Sequence, residues 1–68
     1  MHEFATAIGP RRVGGRYFSG YWREEYTVLA IQWDMPVWGW QMTVHWADGH
    51  VTSHSTWWEA GRDRVVEA

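Results

Sequence analysis

The chain has 68 residues, with six Arg, no Lys, eight Asp or Glu, four His and a net charge of -2. So short a chain buries only roughly 60% of its unfolded surface, and without cysteine it has no disulfide, thiolate metal site or cysteine nucleophile to draw on. The charge balance excludes a general pull toward nucleic acid or anionic membrane, no apolar run approaches the ~18 residues of a membrane span, and no basic-then-apolar leader opens the chain, so a cytoplasmic protein is expected.

What compensates for size is aromatic content: seven Trp, three Tyr and two Phe. Each removes ~150–250 Å² from water when buried. One small core cannot hold them all, so some are expected on the surface.

Residues 1–12 read as a poorly ordered N-terminal segment, stopped by Gly9-Pro10; residues 13–68 read as one domain. A first strand spans residues 16–22. It places Tyr17, Ser19 and Tyr21 on one face and Phe18, Gly20 and Trp22 on the other. Gly20 within it suggests a bend. Arg23-Glu24-Glu25 is a charged turn. The second strand, residues 26–33, is rich in β-formers and apolar on both faces. It is therefore expected at the centre of a sheet or covered on its outer side. Asp34-Met35-Pro36 ends it, because proline cannot donate to a ladder.

Residues 41–54 read as a β-hairpin turning at Asp48-Gly49. A two-residue type I′ turn needs positive φ at both positions. It sets Ala47 opposite His50, Trp46 opposite Val51 and His45 opposite Thr52. Met42, Val44, Trp46 and Val51 then form the core face, and Thr43, His45, His50, Thr52 and His54 the solvent face. Thr56 and Glu59 have capping-box spacing, and Gly61 stands where a left-handed cap belongs. A single 3₁₀ turn over residues 57–60 is expected, then a last strand over 62–66.

The expected fold is all-β: five short strands with one 3₁₀ turn before the last. Closing such a sheet into a small barrel removes its exposed edges. Tyr21-Trp22, Tyr26, the Trp46-Ala47-Asp48-Gly49 turn and the helical turn before the last strand give the chain a likeness to the SH3-like barrels. Within them it resembles the Tudor-like branch, over residues 13–66. It is also similar to small actinobacterial proteins, a likeness that implies no function. The Tudor-like resemblance implies a cage for a methylated Lys or Arg lined by Trp22, Tyr26 and Trp46, held by cation–π attraction. Against the cage stands the place of Trp46 on the expected core face.

Three further groups of residues carry readings. His45 is diagonal to His50 and to His54, close enough for a pair of imidazoles to share a metal, but all three cannot converge and no carboxylate completes the set. A solvated polar face is the plainer reading, and no cofactor is expected. Trp38, Trp40, Trp57 and Trp58 form a second group. Adjacent helical residues diverge by ~100°, so one of Trp57 and Trp58 faces in and the other out. Trp57 is expected inward, leaving Trp58 with Trp38, Met35 and Val37 as an apolar patch for a partner or a second copy. Arg11, Arg12, Arg16 and Arg23, interleaved with Tyr17 and Tyr21, suit single-stranded nucleic acid, although Glu24 and Glu25 intrude.

No catalytic constellation is present: His54 cannot reach both Ser53 and Ser55 from a regular strand. The expected function is therefore a non-catalytic protein-interaction module that binds a partner or itself through exposed aromatics Trp22, Tyr26, Trp38, Trp46 and Trp58. The alternative is a nucleic-acid-binding barrel.

Overall fold

The structure is a computed structural model describing residues 7–34 and 39–68. It is all-β, with strands β1 (Arg16–Ser19), β2 (Glu24–Asp34), β3 (Gly39–Trp46), β4 (Val51–His54) and β5 (Arg64–Glu67). They form one antiparallel sheet in the order β4-β3-β2-β1-β5. The two end strands, β4 and β5, are not paired with each other, so the sheet is not closed. No helix among the described residues is long and apolar enough to cross a membrane.

β2 occupies the centre, as its two-sided apolarity requires. It serves both of its neighbours by changing parity. Tyr26 and Val28 are buried; the register then shifts between Val28 and Ala30. Leu29 is left outside, exposed, and Ile31 comes opposite Met42 and packs on the core. A bulge of one residue bends and twists the strand. The run Tyr26–Ile31 looks apolar on both faces because its inward side switches midway.

The first strand is shorter than its sequence suggests. Ser19 ends it: its carbonyl accepts from Arg23 N at 2.7 Å and its hydroxyl from Trp22 N at 3.1 Å. Residues 20–23 form the turn, with Arg23 at φ 59. Gly20 is explained by proximity, since a Cβ there would collide with the Arg62 backbone.

The hairpin turns where expected, but in a different register. Met42 pairs with His54, Thr43 with Ser53, Val44 with Thr52 and His45 with Val51. The loop holds three residues, 47–49. Gly49 N donates to Trp46 O at 2.9 Å, and only Gly49 has positive φ, at 101°. This is a type I turn followed by a glycine bulge. Asp48 keeps a negative φ and spends its carboxylate on His50, accepting from its amide at 3.0 Å. The extra loop residue moves every β4 side chain to the other face. Val51, assigned to the core, is exposed, whereas Thr52 and His54 turn toward Trp46.

The turn before β5 also lies elsewhere. Residues 57–59 are not helical. Arg62 N and Asp63 N both donate to Glu59 O, at 2.9 and 2.7 Å. No Thr56–Glu59 capping box forms, because the Thr56 hydroxyl bonds His54 Nδ1 at 2.9 Å. Asp63 caps instead, accepting from Glu59 N and from Gly20 N, each at 2.8 Å.

The core comprises Ala7, Ile8, Tyr17, Tyr26, Val28, Trp40, Met42, Val44 and Trp46, with Ile31 and Trp58 against it. An aromatic row crosses it. Trp58 meets Tyr17 edge-on at 5.9 Å, Tyr17 meets Tyr26 at 5.9 Å, and Tyr26 meets Trp46 at 5.0 Å. Offset and edge contacts of this kind add about 0.5–1.5 kcal/mol each beyond area burial.

Within the N-terminal segment, Ala7, Ile8 and Arg11 are buried. Trp58 N donates to Ala7 O at 2.7 Å. Arg11 donates to the carbonyls of Ile8 and Ala7 at 2.9 Å, to Thr56 O at 2.6 Å and to Tyr26 Oη at 3.3 Å. Its guanidinium stacks 5.6 Å from Trp58 and 5.9 Å from Trp40. A buried charge survives only if its donors are satisfied, and here neutral oxygens and ring faces satisfy them.

Candidate functional site

Two loops and the hairpin build one continuous surface. The β1–β2 turn presents Tyr21 and Trp22, 69% and 63% exposed, packed edge to face at 4.9 Å. The segment before β5 presents Trp57, 52% exposed. Between them lies a cleft of about 330 Å³ walled by Tyr21, Trp22, Thr56, Trp57, Glu59 and Arg62. The Arg62 guanidinium sits 6.0 Å from the Tyr21 ring. On the other side of Trp22 is a hollow of about 430 Å³, lined by Trp22, Glu24, Trp46, His50, Thr52, Ser53, His54 and Thr56. Trp22 and Thr56 belong to both.

Each wall of the hollow has a local cause. Trp46 is nearly buried, and its indole N–H donates to Thr52 Oγ1 at 2.7 Å. Glu24 begins β2 and accepts from Asp48 N at 2.9 Å, while Ala47 N donates to Glu25 O at 2.9 Å. These bonds tie the hairpin tip to the start of β2. His50 lies 2.8 Å from Asp48 Oδ2. That hydrogen bond, then the Asp48 charge, raises the His50 pKa, and bonding to His50 lowers that of Asp48.

His54 behaves differently. Thr56 donates to its Nδ1 from the hydroxyl at 2.9 Å and from the amide at 3.4 Å. The ring proton is therefore on Nε2, which is buried with no hydrogen-bond partner among the described residues. Desolvation first, and the Arg11 charge second, lower the His54 pKa. Its ring lies 6.1 Å from that of Trp46.

The structure brings some of the sequence candidates together and separates others. Among the described residues, Trp22, Tyr26 and Trp46 together line a crevice of about 30 Å³, room for little more than a water molecule. Tyr26 and Trp46 are core residues, and burial raises the Tyr26 pKa against the opposing Arg11 charge. Trp57 and Trp58 are reversed from expectation: Trp58 packs on the core and Trp57 faces out. The backbone there is not helical and is pinned by the bond from Trp58 N to Ala7 O, so no helical geometry orients the pair. Trp38, with Met35 and Val37, lies outside the described residues.

Of the basic group, Arg11 and Tyr17 are buried and offer nothing to a phosphate or a base. Arg16 is engaged by Glu25 at 3.7 Å and Glu67 at 3.3 Å. Arg12, Tyr21 and Arg23 are exposed. The three hairpin histidines do not converge: His45 is on the outer face opposite Val51, and His54 is on the inner face opposite Met42. Among the described residues no group of three His, Cys, Asp or Glu is placed to hold a metal ion.

Sequence reasoning passed over Trp57, Arg62, Glu24 and Thr56 as parts of one surface. No local signal joins them; Gly20 bonding to Asp63 across the chain does.

Fold and surface together define a small all-β domain with five antiparallel strands and an exposed aromatic face. Compared with protein-family models, curated proteins and solved structures, the chain matches none of them significantly.

Proposed function

We propose that this protein is a non-catalytic interaction module that binds a protein partner, or a second copy of itself, through the surface around Trp22. The observation that carries the reading is that Tyr21, Trp22 and Trp57, three exposed aromatics from two separate loops, gather around two hollows sharing Trp22 and Thr56. Solvent-facing aromatics beside ready-made concavities are where interface energy concentrates. The fold reading belongs with this proposal: an SH3-like barrel of the Tudor-like branch, opened between β4 and β5. It is supported by the strand order, with β1 between β2 and β5, and by the bulge that lets β2 bend.

The test compares proteins cross-linked in cells to the parent and to Trp22→Ala/Trp57→Ala. The double variant should melt like the parent and lose its cross-linked partner. Retention of every partner by a folded double variant would remove the reading. Mobility-shift assays on single-stranded DNA and RNA at two salt concentrations check the alternative. Salt-steep binding would favour nucleic acid instead.

A further inference from the structure

We infer that His54 is a proton-operated gate between the hollow beside Trp22 and the crevice behind it. The neutral ring keeps the two apart, and a protonated ring leaves its seat and joins them. As regulation of the partner surface this rests on the interaction-module reading; as a movement of the chain it does not.

The seat fits only the neutral ring. Nδ1 accepts from the Thr56 hydroxyl at 2.9 Å and from the Thr56 amide at 3.4 Å, so it carries no proton. Nε2 is buried and meets no hydrogen-bond partner among the described residues. A second proton must therefore go to Nδ1. The Thr56 hydroxyl is free to rotate and accept it, but the amide only donates and then faces another donor. Nε2–H, now part of a cation, stays enclosed without an acceptor. An unsatisfied buried group costs more when it is charged.

The charges around the seat do not rescue the cation. Arg11, from the N-terminal segment, donates to Thr56 O at 2.6 Å and brings a positive charge to the residue that holds the ring. On β2, Tyr26 Oη accepts from Arg11 at 3.3 Å, and Glu24 accepts from Asp48 N. His50, after the hairpin loop, is paired with Asp48. Before β5, Asp63 already accepts from Gly20 N and Glu59 N, and Glu59 is exposed. Burial first, and the Arg11 charge second, accordingly oppose protonation in place.

The consequence follows from the walls. His54, Thr56, Trp22 and Trp46 line both the hollow of about 430 Å³ and the crevice of about 30 Å³. The backbone around the ring is anchored, because His54 pairs with Met42 and the Ser55 hydroxyl donates to Trp40 O at 2.6 Å. The movement is therefore a rotation of the His54 side chain that also frees the side chain of Thr56. With the ring gone, water reaches Tyr26 and Arg11, which line the crevice and are buried while the gate is shut. Acid thus deepens the hollow on the side a partner meets. Histidine charges within the physiological range, and a seat that admits only its neutral form turns that charge into a change of shape.

The test is an NMR titration of the full chain between about pH 7.5 and 5, with a neutral gadolinium chelate as the probe of solvent access. Above the His54 midpoint, Nδ1 should be unprotonated and Nε2 protonated. Through that midpoint the Thr56 amide and the Trp46 indole should shift together with the ring. Relaxation of the Tyr26 ring protons by the chelate should rise severalfold, while far-UV circular dichroism stays unchanged. Thr56→Val, which removes a donor to the neutral ring, should raise the His54 midpoint. His54→Gln should abolish the acid step at Thr56, Trp46 and Tyr26.

A proton on Nδ1 above the midpoint would overturn the gate, and this readout needs no variant. So would Tyr26 accessibility that stays constant while His54 titrates, since the proton is then taken up in place. A step that follows the His50 midpoint, survives His54→Gln or coincides with global unfolding would overturn it as well. Failure of the gate leaves the cross-linking experiment to judge the module. Loss of the module leaves the gate to be read on the isolated chain.

Discussion

Trp46 donates its indole N–H to the hydroxyl of Thr52 at 2.7 Å, across the ladder between β3 and β4. The bond exists because the loop holds three residues, which brings Thr52 to the same face as Trp46. Thr52→Val keeps β-branching and removes the acceptor. It should cost about 1 kcal/mol in urea denaturation, with the Trp46 fluorescence altered. In the register of a two-residue loop the change would be neutral.

The turn itself separates the two geometries. Gly49 alone has positive φ, so Gly49→Val should cost about 1–3 kcal/mol. Asp48→Gly would relieve a type I′ turn. Here it should destabilise, because it frees a backbone held at negative φ and deletes the bonds to His50. Midpoints of chemical denaturation for the two variants check both signs.

Arg11 anchors the N-terminal segment to the β4–β5 connection through Ala7 and Thr56. Arg11→Met leaves the Ala7 and Ile8 carbonyls without their side-chain donor and should cost about 1–3 kcal/mol, a large share of so small a domain's stability. Arg12→Met, at an exposed position, should stay within about 0.5 kcal/mol. Thermal melts of the two compare them directly.

For the adjacent tryptophans, Trp58→Ala should cost about 3 kcal/mol, at the low end for a large aromatic because the ring is only partly buried. Trp57→Ala should leave the melt unchanged and weaken partner capture.

His54 makes stability depend on pH. Its folded pKa lies below the ordinary ~6.5, so the native state prefers the neutral ring. The stabilisation is full above ~6.5 and is lost as pH falls toward the folded value. His50 runs the opposite way: its raised pKa gives a contribution present below ~6.5 and lost as pH rises through the folded value. NMR titration should place the His54 midpoint below that of His50. Between about pH 5 and 7, His54→Gln should lose less stability on acidification than the parent, as denaturation midpoints would show.

The chain's local chemistry alone determined the five strands, their sequential order, the central place of β2, the turn at Asp48-Gly49 and the inward face of Met42, Val44 and Trp46. Those features follow from period-two patterning and turn-forming residues, which act over a few positions. Tertiary structure decided the rest. Whether the hairpin loop has two residues or three turns on the backbone sign of Asp48, and the bond from Asp48 N to Glu24 forms only once β2 lies alongside. The inward side of β2 switches at Leu29 because β3 holds Val28 and Ile31 in different registers. Arg11 is buried because carbonyls as distant as Thr56, 45 residues away, converge on it. Trp57 joins Tyr21 and Trp22 because Asp63 reaches back 43 residues to Gly20. Contacts between residues so far apart leave no periodic trace in a single chain, and the surface around Trp22 is made of them.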